Sequence, residues 1–490
     1  MGTVGRAVKE AVSGLPREFW WLWTSTLVNR LGGFVVTFLA LYLTVERGFS
    51  ASYAGLVASL YGLGGSVAAV VGGVAADRWG RRATMTAAQV GTAVATAALG
   101  FAEHPAAIAA VACLVGFTGN ASRPAVQAMI ADLVPAADRV RAFSLNYWAI
   151  NIGFGVSAAV AGLVAAHGYL WLFLGDALAT VLCAAVVFLK VPETRPQDGP
   201  ADGPADGPAV AGRAGGSGGA GVSLLDVLRD GRFVALTGAT FLLAVVAQQG
   251  STTLSVDMGA AGLSASQYGL VIGLNGLLIV ILQIPVTRLL EGRGRAGLLV
   301  VGTLLMGWGF GLTAFAGSAG FYALTVAVWT LGEVVHAPAM MSVVAEMSPA
   351  RARGRYQGVH SLAWSAAAFL GPAVGGWGLD RWGGSTVWGA CAVIGTVAAA
   401  GYWLLLRERP APTGPPLAWG AAPARPSAPP SAPSAPKAPD ALEVVAAPAI
   451  PDGPAGVPAG VPTGIPADGR GPGADADGAA ARPAAPRAGV

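Results

Sequence analysis

Four charged residues lie within long apolar stretches of this sequence: Arg30, Arg123, Asp176 and Glu333. A charge at the centre of a bilayer costs about 2.5–3.5 kcal/mol or more, so such residues are functional candidates. Burial favours the neutral form of a carboxyl group, whereas a nearby arginine favours its charged form. Glu333 is therefore the predicted proton carrier, with Arg30 or Arg123 as its partner. The alternative is a static ion pair that holds helices together.

Two other titratable groups belong to the same set of proton-coupling candidates. His336 lies one helical turn from Glu333 and could share its proton, although a lone histidine more often bonds a neighbour. Asp176 falls in the outer part of its apolar stretch, where a structural role is expected. The sequence shows no metal-ligand cluster, nucleophile constellation or P-loop. We therefore expect no bound metal, no cofactor and no enzymatic activity.

Polar side chains at membrane depth are the candidates for lining a binding cavity, because amides that face lipid are costly. These candidates are Asn29, Gln127, Asn151, Gln248, Gln249 and Asn275. Some of them are expected to form hydrogen bonds between helices instead.

The composition indicates that these residues lie in a membrane protein. Of the 490 residues, 54% are hydrophobic and 11% are charged, whereas soluble chains are about a quarter charged. A helix needs roughly 20 apolar residues to cross a bilayer, and twelve such stretches predict an all-α integral membrane protein. The predicted spans are residues 20–44, 54–76, 83–103, 106–131, 143–166, 169–190, 233–256, 268–290, 296–317, 320–345, 357–379 and 385–406.

The positive charges predict the orientation of the chain. If the spans alternate from a cytoplasmic N-terminus, the inner loops carry most of the basic residues, and the outer loops carry only Arg47 and Arg381. This distribution satisfies the positive-inside rule, and it places both termini in the cytoplasm of a cell-membrane protein. The positive net charge therefore reflects topology, and we expect no nucleic-acid partner.

Two polar regions separate or follow the spans. An Asp-Gly-Pro-Ala repeat and a glycine run predict a flexible linker, and a Pro/Ala-rich C-terminus predicts disorder. The predicted organisation is a cytoplasmic N-terminus (1–19), a six-helix half (20–190), a cytoplasmic linker (191–232), a second six-helix half (233–406) and a disordered cytoplasmic tail (407–490).

The two halves are copies of one unit. The stretch Gly48–Leu63 recurs 214 residues later as Gly262–Leu277, with ten of sixteen positions identical. The same ungapped offset also aligns Arg81 with Arg295 and Asp132 with Glu346. Six spans per copy give both copies the same orientation, so the pattern predicts a parallel repeat about an axis along the membrane normal.

The loop after the second span reads GGVAADRWGRR and resembles the signature of the major facilitator superfamily. The match comprises Gly73, Asp77, Arg78, Gly80, Arg81 and Arg82. The resemblance implies a twelve-helix transporter that alternates between inward and outward access, with this loop as a conformational latch. It further implies that Asp77 faces the start of span eleven and that Arg81 pairs with Asp132.

Further stretches are similar to the proton-driven drug-efflux branch of this family. They are LVNRLGGFVVTFLALYLT in span one, SRPAVQAMIADLVP in span four and FLGPAVGG in span eleven. Two features depart from that branch. Its members usually carry a Gly-Pro motif in span five, where this chain has Ala158 at the position that the repeat aligns with Pro372. Many also carry an acid in span one, where this chain has Asn29 and Arg30.

The resemblance and the residues together predict a proton-coupled exporter of hydrophobic or cationic small molecules. A carrier of a sugar, peptide or metabolite is the alternative within the family. A membrane receptor or channel without transport coupling is the alternative from another class. The expected partners are a small-molecule substrate, protons and the lipid bilayer, and the expected state is a monomer.

Overall fold

The structure, a computed structural model, describes residues 13–33, 35–135, 138–194, 224–290, 292–349 and 352–407. The predicted N-terminal segment, most of the predicted linker and nearly all of the predicted tail lie outside these residues. The described residues form helices and no strands, which confirms the predicted all-α class.

The first half contains six spans. Span 1 consists of two helices followed by a π-helical turn, and spans 2 to 6 are single helices. Their bounds are Arg17–Leu31, Val35–Leu41 and Tyr42–Glu46 for span 1, then Ala51–Trp79, Arg81–Phe101, Pro105–Leu133, Arg139–Ala165 and Tyr169–Lys190.

The second half repeats this arrangement after a short helix, Leu224–Arg229. Span 7 is again divided in two, and span 9 ends in a 3₁₀ turn. The bounds are Gly231–Gln248 and Thr253–Ala260 for span 7, Ala265–Leu289 for span 8, Arg295–Gly311 and Leu312–Phe315 for span 9, Ala319–Met347 for span 10, Arg353–Trp382 for span 11 and Gly384–Leu406 for span 12.

Ten of these spans within the described residues are long and apolar enough to cross a membrane. The other two are span 1, which is divided, and span 3, which is rich in Ala, Gly and Thr. Span 3 has 21 residues and is therefore about 30 Å long, which is sufficient for a crossing. The structure thus supports the predicted twelve-span architecture.

Side chains form hydrogen bonds at the breaks in spans 1 and 7. Span 1 stops before Gly32, and the next helix begins at Val35, whose N–H donates to Asp176 Oδ2 of span 6 at 3.3 Å. In span 7 the Gln249 side chain donates to the carbonyl of Val245 in its own helix at 2.8 Å and to the carbonyl of Gly371 in span 11 at 3.0 Å. Side chains, from span 6 at the first break and from span 7 itself at the second, therefore compensate for helix hydrogen bonds that are lost at the breaks.

The repeated stretches Gly48–Leu63 and Gly262–Leu277 contain the first residues of spans 2 and 8. Ser50 Oγ accepts the Tyr53 N–H at 3.2 Å, and Ser264 Oγ accepts the Gln267 N–H at 3.2 Å. Both serines are N-caps, a role for which serine is well suited.

Close contacts between small residues join the two halves. A Cβ atom added at Gly62 of span 2 would lie 2.8 Å from the carbonyl carbon of Ala368 in span 11. A Cβ atom added at Gly276 of span 8 would lie 2.7 Å from the Cα of Gly155 in span 5. Backbones approach this closely only where side chains are absent, which is how helices commonly pack in membranes.

The two ends of the bundle differ, and we call them the Asp77 end and the Asp380 end after the acids near the ends of spans 2 and 11. Hydrogen bonds between the halves are found toward the Asp380 end, such as Ala373 N–H to Ser59 Oγ at 2.9 Å. Toward the other end, a side chain added at Gly73 or Gly358 would meet no atom within 4 Å. The bundle is therefore closed at the Asp380 end and open at the Asp77 end.

We predict that Gly62→Val prevents the close approach of spans 2 and 11, because the added side chain would overlap the backbone of span 11. Gly238→Val is the matched control, because nothing lies within 4 Å of its position in span 7. Thermal unfolding of the purified proteins should show a loss of about 2 kcal/mol or more for Gly62→Val, as expected for overpacking. Equal stability of the two variants would contradict this packing.

Candidate functional site

A cavity of about 390 Å³ lies between the two halves. Residues of spans 7, 8, 10 and 11 form most of its wall, and spans 1, 5 and 9 contribute one residue each. The lining residues are Thr37, Phe154, Ala247, Gln248, Gly250, Ser251, Ile272, Asn275, Met306, Trp329, Glu333, His336, Ala337, Met340, Met341, His360 and Trp364. Ten of these 17 residues are apolar, aromatic or glycine, and seven carry polar side chains, so the wall combines an apolar surface with several polar groups, as small-molecule sites commonly do.

Glu333 is the carboxylate in this wall. Its Oε2 accepts a hydrogen bond from Asn275 Nδ2 of span 8 at 3.2 Å. The same amide donates to Thr330 Oγ1 at 3.0 Å, so Asn275 is held between two side chains of span 10. Tyr147 of span 5 is within electrostatic range of Glu333. Because the donor to Glu333 is neutral, the carboxyl group can gain or lose a proton without breaking an ion pair.

The expected pairing of Glu333 with Arg30 or Arg123 is not found among the described residues, so that prediction was wrong for this conformation. The charge of Arg30 interacts with Arg123, Tyr61 and Asp176, all in the first half. Arg30 also packs against Gly153 of span 5. Both arginines therefore belong to the first half, whereas Glu333 lines the cavity from the second.

Asp176 is a buried structural group. Its Oδ2 accepts the Val35 N–H, and its Oδ1 accepts the Thr180 hydroxyl at 3.4 Å. The first bond attaches the second helix of span 1 to span 6, and the second lies within span 6. Asp176 thus accepts a backbone N–H at the break that follows Leu31, and its expected structural role stays a prediction.

His336 lines the cavity one turn from Glu333, and a second histidine, His360 of span 11, lines it as well. Both side chains are buried, and His336 Nε2 and His360 Nδ1 have no hydrogen-bond partner among the described residues. Sequence reasoning missed His360. Its signal was a histidine within an apolar span that contacts the span of Glu333.

The predicted cavity amides divide into two groups. Gln248 and Asn275 line the cavity. Gln249 is buried and bonds span 11, and Asn151 donates to the carbonyl of Tyr147 in its own helix at 2.9 Å. The structure does not place the following candidates in the cavity wall: Asn29, Gln127, Gln249 and Asn151.

The loop between spans 2 and 3 is held by two carboxylates. Arg81 forms an ion pair with Asp132 of span 4. Glu193, which follows span 6, accepts the backbone N–H groups of Arg81 at 2.7 Å and Arg82 at 3.2 Å, and so caps span 3. Sequence reasoning missed Glu193, although an acid directly after the last span of a half could have suggested a cap.

The other residues of the loop between spans 2 and 3 indicate that the Asp77 end is open. Gly80 has a φ of 101°, which favours glycine, and it separates spans 2 and 3. Asp77 and Arg78 are exposed. The contact that the resemblance implied between Asp77 and the start of span 11 is not found among the described residues, because the halves are apart here.

The second half contains the equivalent ion pair, between Arg295 of span 9 and Glu346 of span 10. These residues align with Arg81 and Asp132 at the repeat offset of 214. In both halves the pair joins the start of the third helix to the end of the fourth. Glu291, the repeat counterpart of Asp77, lies outside the described residues.

We predict that Asp132→Lys lowers the free energy of unfolding by about 1–2 kcal/mol, between the values for exposed and buried ion pairs. The exchange Arg81→Asp with Asp132→Arg should recover part of this loss. Asp226→Lys is the control, because Asp226 pairs with Arg229 in an exposed ion pair. Thermal unfolding measures the stability of all three variants. If the exchanged protein regains no stability, a direct electrostatic contact is contradicted.

The family model described as Major Facilitator Superfamily matches residues 22–260 and 231–450 of the chain. This match covers more than half of the sequence. The residues that suggested the resemblance, including the loop between spans 2 and 3, lie within the matched region.

Curated relatives align over most of their length. The uncharacterized MFS-type transporter YttB of Bacillus subtilis (strain 168) is 26% identical over 378 residues, covering 75% of this chain and 90% of that protein. A Na(+), Li(+), K(+)/H(+) antiporter of Planococcus maritimus is 24% identical over 388 residues, covering 71% and 88%. The multidrug resistance protein MdtH of Escherichia coli O1:K1 / APEC is 25% identical over 363 residues, covering 71% and 83%.

A solved structure shares the fold. The nucleoside transporter NupG, as its D323A mutant, superposes with a TM-score of 0.65 at 15% identity, covering 79% of this chain and 100% of that one. At this identity the likeness concerns the fold, and it confirms the predicted arrangement of two six-helix repeats.

Proposed function

The chain belongs to the major facilitator superfamily of secondary transporters, and we propose that it exports hydrophobic or cationic small molecules in exchange for protons. The observation that carries this proposal is Glu333, a carboxyl group in the cavity wall whose hydrogen-bond donor is the neutral Asn275. The relatives named as a multidrug resistance protein and as a cation/proton antiporter support it.

In the proposed orientation the Asp77 end is cytoplasmic, the protein lies in the cell membrane, and both termini are inside. A monomer suffices, because one chain supplies both halves. The structure then corresponds to an inward-open state in which substrate enters from the cytoplasm. Apolar side chains such as Trp329 and Met340 contact the substrate, and ionised Glu333 attracts a cationic group.

The cycle continues by rocking of the halves around the cavity. When the Asp380 end opens, a proton from outside neutralises Glu333 and weakens its attraction for the substrate. The substrate leaves, and the protonated transporter returns to the inward-open state, where Glu333 loses its proton to the cytoplasm. His336 and His360 border the same cavity and provide further sites for protons along this path.

A second candidate, a carrier of an anionic metabolite, is favoured by Arg30 and Arg123. These arginines lie within electrostatic range of each other, and neither forms an ion pair among the described residues. The acid in range of Arg30 is Asp176, which already accepts two hydrogen bonds. Guanidinium groups suit carboxylates and phosphates, so this pair of arginines offers a place for an anionic group.

We predict that vesicles containing the purified protein move a lipophilic cationic dye when a pH gradient is imposed. Glu333→Gln should reduce this gradient-driven movement at least about tenfold while dye binding persists, because an amide cannot carry the proton. Asp176→Asn is the matched control: it also replaces a buried acid, and it should retain coupling in the protein that folds. Fluorescence of the dye reports the movement.

The outcomes separate the candidates. Movement of an anionic dye but not a cationic dye would favour the metabolite carrier. Normal coupling in Glu333→Gln would place the proton on another group. No gradient-dependent movement of either dye would overturn the export proposal.

A further inference from the structure

The carboxylate of Asp380 in span 11 joins the two halves at the Asp380 end of the bundle. Asp380 lies in the last turn of this span, and its two carboxylate oxygens accept the first backbone N–H groups of span 2. Oδ1 accepts Ala51 N–H at 3.1 Å, and Oδ2 accepts Ser52 N–H at 2.7 Å. Because span 2 belongs to the first half and span 11 to the second, this contact joins the halves.

The contact satisfies groups that the helix itself leaves free. The first N–H groups of a helix have no partner within it, and a carboxylate there is stabilised by the helix dipole. Beneath Asp380, Gly376 packs against the backbone of Ala51, and Gly55 packs against Pro372. These small residues bring the end of span 11 close enough to span 2 for both hydrogen bonds to form.

The position of Asp380 within its own helix is unfavourable, and the same holds for Asp77. Each acid lies in the last turn of its span, where the helix dipole disfavours negative charge. Each would be stabilised by the N-terminus of the other's helix, since spans 2 and 11 run in opposite directions. Asp380 makes this contact in the present structure, whereas Asp77 is exposed.

The sequence around the two acids is the same. Span 2 ends in Asp77-Arg78-Trp79-Gly80, and span 11 ends in Asp380-Arg381-Trp382-Gly383. Their separation of 303 residues differs from the repeat offset of 214, so the internal duplication does not produce this match. In both cases the glycine has a positive φ, 101° at Gly80 and 79° at Gly383, and the next helix begins at once.

We propose that Asp380 is a second latch, which holds the transporter closed at the Asp380 end, and that Asp77 and Asp380 engage alternately. When Asp380 caps span 2, the halves meet at one end and separate at the other, which frees Asp77. When the halves rock, Asp380 releases span 2 and Asp77 approaches span 11. This inference rests on the alternating-access cycle of the proposed function.

The test measures the two ends separately, by distances between pairs of spin labels in a variant whose native cysteines are replaced by alanine. Labels at Ala107 and Gly317 report on the Asp380 end, and labels at Leu189 and Leu289 report on the Asp77 end. Asp380→Asn should increase the population that is open at the Asp380 end about two- to fivefold, the range expected for a carboxylate at a helix N-terminus. Asp77→Asn should decrease the population that is open at the Asp380 end.

Controls distinguish a latch from a general loss of structure. Arg381→Gln changes the neighbouring charge of the same motif and should leave both distance distributions unchanged. The double variant Asp77→Asn with Asp380→Asn should return toward the original distribution, which a folding defect would not do. An unchanged distribution in Asp380→Asn, or the same change in Arg381→Gln, would overturn the proposal.

These measurements need neither a substrate nor a pH gradient. A failure of dye transport would therefore overturn the export function without affecting the latch. Conversely, normal dye transport with unchanged distances in Asp380→Asn would overturn the latch alone.

Discussion

The absence of water inside a bilayer is the constraint on which the rest of this structure depends. Each backbone group at membrane depth must find a partner within the protein. Continuous helices meet this requirement by themselves, but the breaks in spans 1 and 7 do not. Asp176 of span 6 accepts the Val35 N–H at the first break, and the Gln249 side chain donates to the Val245 carbonyl at the second. The broken segments can therefore lie beside the cavity, where Gln248 and Gly250 form part of its wall.

Much of the fold could be predicted from the sequence, because its determinants are local or periodic. Apolar length predicted the twelve spans, and the repeated stretch predicted two copies of one six-helix unit. The breaks could not be predicted, because each depends on a partner far along the chain: Val35 meets Asp176, and Gln249 meets Gly371. No pattern within span 1 or span 7 specifies such a partner.

The candidate site was predictable only in part, for the same reason. The cost of a buried charge singled out Glu333, which does line the cavity, but the sequence alone could not choose between an arginine and Asn275 as its neighbour. Attraction between opposite charges suggested the arginine, yet packing places Arg30 against Gly153 in the other half. His360 and Glu193 were missed because their roles arise from contacts between distant spans.

The duplication explains how the two six-helix halves can move relative to one another. The ion pairs Arg81–Asp132 and Arg295–Glu346 occur in both copies, and each joins two helices of one half. The charges within the spans are not duplicated: the repeat register places Gly119 opposite Glu333 and Ala337 opposite Arg123. Between the halves, small residues pack closely and hydrogen bonds such as those from span 2 to Asp380 join the helix ends. Because each ion pair joins helices of one half, the halves can move as units in the proposed cycle, with Glu333 in one half and Arg30 and Arg123 in the other.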